Sequence, residues 1–423
     1  MRIPETCPKV MNDLDSGTVC VSPEVLAYAK ECNSRYLHWD DLRNRDFGGH
    51  DRYEVWKIMK VLRTLTYHDV DIMDLSLTYS MMDDLVRDSL HEIDFRLLPD
   101  SLGVRRDRER SMLSVSSVME ESIASSQLEG ASTTRELAKR MLRSNQIPKD
   151  RSQRMIANNY AAMQVIRERI DEPLTPGLIK DIHMTIVDGL MDNPSSAGEF
   201  RKDDSVAIRS VYEDITYHVP VGHEKIDDMI DSLCTFANQR TGGHPIVKAI
   251  VLHYALAYIH PFLDGNGRVS RSLFYWYCMK NGYPMVQYLS ISKVIRKHRQ
   301  GYDLAYLYSE TDDNDITYFI RYNLKAILES IGLFESYLKK RTKELKDAAE
   351  SFTDFGLSAR QTQILKDMKD AGRPLSLYEL STKYQTPVPT VRRDVVALID
   401  AGLAVPSSKD GHRQLYGYRK DRI

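Results

Sequence analysis

Along most of this chain apolar residues recur at the three- and four-residue spacing of helices, with polar residues between them. Glu54 to Thr66 (EVWKIMKVLRTLT) shows the pattern, and the first hundred residues read as helices joined by polar turns. Met112 to Glu129 has the composition of a helix, Gly130 follows as a left-handed stop, and Thr133 with Glu136 forms a candidate capping box for the next helix. Pro245 to Ile259 (PIVKAIVLHYALAYI) is apolar enough to predict a helix buried on nearly every side, and Arg268 to Lys280 and Tyr318 to Asp347 predict two more. One segment departs from this period. Val206 to Val219 (VAIRSVYEDITYHV) is β-branched and aromatic around a polar Glu213-Asp214 turn, which predicts a β-hairpin. A lone hairpin on a helical domain has open edges and serves either as a docking rail or as a cover folded over the core.

The tail has its own pattern. Ser358 to Ala371 and Ser376 to Tyr384 predict short helices, and Val388 to Ala401 (VPTVRRDVVALIDA) carries recognition-helix spacing before Gly402. Leu403 to Val405 and Arg413 to Tyr418 read as strands flanking a polar wing, an order that resembles a winged helix-turn-helix domain. From residue 352 onward 12 Lys or Arg stand against 8 Asp or Glu, an excess of four that falls partly on Arg392, Arg393, Lys409 and Arg413. Such a unit serves DNA binding, dimerisation or protein docking. Arg105 to Arg110 (RRDRER) alternates in sign like a solvated helix face or linker and marks a boundary. The expected division is a helical extension over 1–105, a helix region over 106–145, a helical core over 146–350 and the tail unit over 352–423.

Composition narrows the class. With 423 residues, 42% hydrophobic and 28% charged, the chain is an ordinary globular protein of two or three domains, and a net charge of -2 excludes a global attraction to nucleic acid or membrane. Five cysteines without a Cys-x-x-Cys pair argue against a disulfide framework or a structural zinc site. The first residues lack an apolar signal core and Ala249 to Leu263 is too short and polar to span a bilayer, so a cytoplasmic protein without a membrane partner is expected.

The densest chemistry lies in His260 to Arg271 (HPFLDGNGRVSR). Gly265, Asn266 and Gly267 leave the backbone uncrowded where a helix should begin, so its free N–H groups would cradle an anion. Arg268 and Arg271 stand three apart on one face and offer two planar forks for phosphate oxygens. Asp264 is a candidate magnesium ligand, and His260 is a candidate base for an incoming hydroxyl. The string resembles, without departure, the Fic signature His-x-Phe-x-(Asp/Glu)-Gly-Asn-(Gly/Lys)-Arg-x-x-Arg.

That resemblance implies a mainly α fold, a Fic helical core with a small β-hairpin flap, and transfer of AMP from ATP, with Mg2+, to a Ser, Thr or Tyr hydroxyl of a target protein. His260 would be the base and Asp264 the metal ligand. Phe262, Leu263, Gly265, Asn266, Gly267, Arg268 and Arg271 would hold the nucleotide, with Tyr302 as an aromatic wall for adenine. The flap, after Gly198-Glu199-Phe200-Arg201, would dock the target through Val206, Ala207 and Ile208. Ser125-Ser126-Gln127-Leu128-Glu129-Gly130 resembles the inhibitory (Ser/Thr)-x-x-x-Glu-(Gly/Asn) motif of one Fic class, which assigns Ser125, Glu129 and Gly130 to a helix whose carboxylate occupies Arg271. Expected partners are ATP, a target protein, a second copy and DNA through the tail. Two rival readings are a nucleotide-sensing, DNA-binding transcriptional regulator and a hydrolase that removes AMP, with Glu129 positioning a water. His183, His218, His223, His244 and His253 lack metal-ligand spacing and read as packing or surface residues.

Overall fold

Side-chain caps set most helix starts in the computed structural model, which describes residues 2–10, 22–97, 107–209, 214–239, 243–351, 356–410 and 413–419. Ser22 accepts from the Val25 amide to open α1 (Pro23–Ser34), and Asp51 accepts from Tyr53 to open α2 (Arg52–Thr64), two residues ahead of the predicted start. Their apolar faces close on Trp56, Met59 and Leu42, a small core of their own.

The expectation of helices alone over the first hundred residues is corrected at Tyr67–Ser80. There β1 (Tyr67–Ile72) and β2 (Leu75–Ser80) pair antiparallel from Tyr67↔Ser80 to Ile72↔Leu75. Val70 and Ile72 on one strand, and Leu75, Leu77 and Tyr79 on the other, are buried at a period of two, and Asp74 takes the positive φ of 58° that the tight turn needs. Strand β2 then docks on the segment ahead of the longest helix: the Ile316 amide donates to Thr78 O at 2.8 Å and the Thr78 amide to Asn314 O at 3.1 Å.

The main core is helical, as expected. It contains α3 (Asp84–Leu97), α4 (Asp107–Leu128), α5 (Arg135–Ser144), α6 (Arg151–Glu168), α7 (Pro176–Val187), α8 (Ile226–Asn238), α9 (Pro245–Ile259), α10 (Asn266–Lys280), α11 (Ile291–Lys297), α12 (Arg299–Thr311) and α13 (Thr317–Ser351). Helix α9 has the predicted bounds, and only three of its fifteen residues escape burial, so it lies inside the bundle with α10 along it. Helix α4 packs on α6 and α11. The cap of α5 is Thr134, not Thr133, with its hydroxyl 3.4 Å from the Leu137 amide; the sequence offers two adjacent threonines and only the backbone turn selects between them. The expected hairpin is short, with β3 (Ile208–Arg209) pairing β4 (Thr216–His218), while 210–213 of its turn lie outside the described residues, as do Arg105 and Arg106 of the sign-alternating run.

The last unit runs α14 (Ala359–Asp370), β5 (Leu375–Ser376), α15 (Leu377–Tyr384), α16 (Val388–Asp400), β6 (Ala404–Asp410) and β7 (Arg413–Tyr418), with strand order β5-β7-β6. Strand β5 was not anticipated, because two residues are too few to show a period. Ser358 and Ser376 both form capping boxes, and Ile364, Leu380, Val391, Val395 and Leu398 make a separate core. Asp367 receives Tyr384 Oη and Lys383 from within the unit and stands 3.8 Å from Arg341 of α13. No helix among the described residues is long and apolar enough to cross a membrane. Cys7, Cys32, Cys234 and Cys278 are buried and unpaired, and Cys20 lies outside the described residues.

Arg63 joins the N-terminal unit to this bundle. Its guanidinium is almost fully buried and donates to Asn33 Oδ1 at 2.8 Å, Leu37 O at 2.7 Å and Tyr318 Oη at 2.7 Å, with Asp312 at 3.7 Å. Arg63→Ala would leave Asp312 with Lys60 and the Tyr318 hydroxyl, and Asn33 Oδ1 and Leu37 O without this donor. A loss of about 3–5 kcal/mol is expected, the usual cost of breaking a buried ion pair, measured by chemical denaturation; a change below about 1 kcal/mol would show that the two units do not depend on it.

Candidate active site

Helix α9 hands the chain to His260 at its C-terminal end, where the residue takes φ 52° and ψ 59° as a left-handed cap and its amide donates to Leu256 O. Nδ1 lies 3.2 Å from the Ala257 carbonyl, which can only accept, so the proton is on Nδ1 and Nε2 carries a free lone pair. Burial, helped by the charges of His218 and Arg201 and opposed by the Ala257 carbonyl, pushes the imidazole down to about 4. The ring is a neutral base at pH 7.

The loop that follows is built to keep its shape. Phe262 is fully buried and stacks on His183 with centroids 3.7 Å apart. Asn266 Oδ1 accepts from the Phe262 amide at 2.9 Å and Nδ2 donates to Phe262 O at 2.7 Å, closing the loop on itself. Gly265 sits at φ 86°, and a Cβ there would stand 3.0 Å from Val187 Cγ1. It is also the N-cap of α10, which has no side-chain cap, so the first amides of that helix remain available. Helix α10 starts at Asn266, two residues before the predicted start, for the same reason. Asp264 is half exposed; its Oδ1 accepts from the Gly265 amide at 2.6 Å and lies 3.6 Å from Arg268, while Oδ2 lies 3.7 Å from Arg151. Arg268 is buried, donates to Ile186 O at 3.1 Å, and has an Nε without a partner. Leu263 is exposed.

The structure brings the Ser125 to Gly130 segment onto this helix. Arg271 Nε donates to Ser125 Oγ at 2.9 Å, and Nη2 donates to Ser125 O at 3.1 Å and to Glu129 Oε1 at 2.8 Å. A Cβ on Gly267 would stand only 2.4 Å from Glu129 Oε1, so that glycine is what lets the carboxylate reach the start of α10. Burial alone would raise the Glu129 carboxyl; Arg271 more than offsets it and holds the group below the usual carboxylate range. Gly130, at φ 93°, ends the helix as expected. Behind it Glu121 is buried and accepts from Ser290 Oγ and from the Ser292 amide and hydroxyl, fastening α4 to α11.

Other sequence candidates fall at varied places. Tyr302 is 8% exposed, its hydroxyl 2.9 Å from His253 Nε2 within a cluster that includes Tyr306, Phe319 and Tyr322. Ile208 lies in β3 and is exposed, while Val206 and Ala207 precede the strand. Asp204, His223 and Glu224 form an exposed cluster of ligand-type atoms. Sequence reasoning missed the work of three residues. His183 accepts from the Gly198 amide at 3.0 Å and reaches Asp264 O at 2.9 Å; Arg201 donates through Nε to His260 O at 3.0 Å and through Nη2 to Val221 O; His218 reaches the Tyr258 carbonyl at 2.8 Å. These particular partners are backbone carbonyls and amides, which leave no residue-type signal.

Residues 173–278 match the family model described as "Fic/DOC family". Two relatives, each named "Protein adenylyltransferase Fic", are similar: that of Aedes aegypti is 34% identical over 160 residues, 37% of this chain and 28% of its own length, and that of Drosophila willistoni is 28% identical over 230 residues, 52% and 42%. The chain thus spans less than half the length of these curated relatives. Two solved structures share the fold. A Fic family protein from Desulfovibrio desulfuricans superposes with a TM-score of 0.53 at 20% identity, over 82% of this chain and 98% of that one, and Fic-1 from C. elegans with 0.55 at 18% identity, over 74% and 84%. The loop from His260 to Arg271, the helix it opens and the bundle around them therefore place a Fic/DOC family domain at residues 173–278 of this chain.

Proposed function

We propose that this chain is a protein adenylyltransferase that moves AMP from ATP to a Ser, Thr or Tyr hydroxyl and is restrained by its own Glu129. The observation that carries the reading is the joint placement of a neutral His260 with a free Nε2, an uncapped start of α10, and two buried guanidinium groups, one of them tied to Glu129. The names of the relatives support the transfer of AMP. The available amides and the unpartnered Arg268 Nε fit a polyphosphate, and Asp264 is the residue that would hold magnesium, which supplies charge neutralisation at the phosphates when bound.

In this reading His260 Nε2 takes the proton of the target hydroxyl as the oxygen bonds to the α-phosphorus. The bond from that phosphorus to the bridging oxygen breaks, and pyrophosphate leaves with its charge met by Arg268 and the α10 amides. Arg271 positions the γ-phosphate when Glu129 releases it. The flap from β3 to β4 docks the target backbone through its open edge. The C-terminal unit is read as a winged helix-turn-helix, with Arg392 and Arg393 exposed on α16, which supports DNA as a partner and keeps the regulator reading open. Incubation with α-labelled ATP and magnesium decides: self-labelling that needs His260 supports the transferase, and DNA retention without labelling supports the regulator.

Three outcomes are expected. His260→Ala abolishes labelling while ATP binding is retained, because amides and arginines do not depend on the imidazole; loss of binding would make His260 structural. With the folded-state value near 4 against an ordinary 6.5, His260 stays the free base through neutral pH. Labelling should therefore hold steady as pH falls from 6.5 to about 5 and drop as pH nears 4, and the stability from keeping this ring neutral is present above 6.5 and lost on the same descent. An acid limb centred near 6.5 would mean the ring is solvated. Glu129→Gly should raise turnover roughly ten- to a hundred-fold, since a charge-assisted contact of this kind is worth about 1.5–3 kcal/mol. In an Arg271→Ala background the same change should bring no gain, because the contested cation is gone.

A further inference from the structure

Strand β4 ends on His218, whose ring is buried where the flap meets the bundle. Both nitrogens meet acceptors. Nδ1 lies 3.0 Å from Glu310 Oε2 on α12, and Nε2 lies 2.8 Å from the Tyr258 carbonyl near the end of α9. A neutral imidazole has one N–H and can donate to only one of them, whereas an imidazolium donates to both and is matched by the carboxylate. The Tyr258 carbonyl is among the last four of α9, which have no partner within the helix, and a cation there meets the negative end of the helix dipole. The charged and titratable groups that meet the ring are Glu310 on α12, Tyr258 on α9, with its own ring 4.8 Å away, and His260 just past the end of that helix.

We propose that His218, held as an imidazolium between Glu310 and the Tyr258 carbonyl, is a positioning residue that seats the flap on the end of the helix presenting His260 and, by its charge, helps keep His260 a free base. The inference rests on the adenylyltransferase reading for its effect on transfer, though not for the charge or the seating. Strand register carries the anchor across the flap: buried His218 is the cross-strand partner of Ile208, so fixing His218 also fixes the position of β3. Burial would discharge the ring, but the hydrogen bond and charge of Glu310 outweigh burial and leave it above its ordinary 6.5. This seating is then fully present below pH 6.5 and lost as pH rises through the raised value, opposite in sign to the behaviour of His260.

Two substitutions separate charge from contact. His218→Ala removes both hydrogen bonds. Glu310→Gln keeps both with a neutral ring, because the amide can donate to Nδ1 while Nε2–H stays on Tyr258 O. The full chain is followed by ring 15N shifts at pH 7, by amide exchange over residues 214–219, and, in a Glu129→Gly background, by self-labelling and ATP binding. The expected results are a charged His218 ring that becomes neutral in Glu310→Gln, and exchange about ten- to a hundred-fold faster in His218→Ala but little changed in Glu310→Gln. Labelling should fall about tenfold in His218→Ala at unchanged ATP affinity, and its acid limb should move to higher pH in Glu310→Gln. A neutral ring in the parent at pH 7, or exchange unmoved by His218→Ala, overturns the proposal even if the chain labels itself. If the parent does not label while ring charge and exchange behave as described, the transferase reading fails and the seating stands. Should His218→Ala not fold, the ring shift in Glu310→Gln still decides.

Discussion

A helix as apolar as α9 can be buried on all sides, but its last carbonyls cannot be left there unpaired. Much of the local architecture answers that demand. The His260 amide takes Leu256 O, its own Nδ1 takes Ala257 O, His218 takes Tyr258 O, and Arg201 takes both His260 O, through Nε, and Pro261 O, through its amide. Each donor comes from a part of the chain that the site needs in place: the base itself, the flap strand, and the loop leading into the flap. Satisfying the helix end and assembling the site are therefore one event.

The opposite end of the problem lies at α10, which begins without a side-chain cap and so leaves its amides and its buried arginines short of negative charge. Glu129 supplies that charge. It reaches Arg271 because Gly267 has no side chain, and because Ser125, one turn earlier on α4, holds the other edge of the guanidinium. Glu121 keeps α4 against α11 by accepting three hydrogen bonds in a buried setting, so the position of Glu129 is inherited from a helix that is itself firmly fixed. In the function proposed above, this carboxylate and a polyphosphate would share the same donor, Arg271.

The N-terminal unit is tied in by a different kind of contact. Arg63 and Lys60 of α2 converge on Asp312, Tyr36 and Tyr67 both donate to Asp315 Oδ2, and β2 forms backbone bonds to the same short segment before α13. These are charged and hydrogen-bonded groups withdrawn from water, which are costly to separate once paired. The unit is thereby an integral support of the α12–α13 corner, beside which Glu310 also projects.

What could be read from residues alone was whatever local chemistry decides. Helix α9 has the bounds its unbroken apolar run predicts, because burial on every side needs no partner to be specified, and the capping boxes at Ser358 and Ser376 rest on neighbours three residues away. The string from His260 to Arg271 likewise announced its amide cradle and paired arginines, since glycines and spacing are local properties. The hairpin at Tyr67–Ser80 carries a period of two in its buried residues but stands among helical neighbours, while β5 is too short to carry any period. The pairing of Glu129 with Arg271 was implied by the motif's resemblance, but only the tertiary structure could bring His183 to the Asp264 carbonyl and His218 to Glu310 and Tyr258, because these contacts join residues between 40 and 92 positions apart. Backbone carbonyls have no residue type, so nothing in the order of side chains marks which of them a distant histidine or arginine must serve; that is decided when packing leaves a helix end in need of a donor.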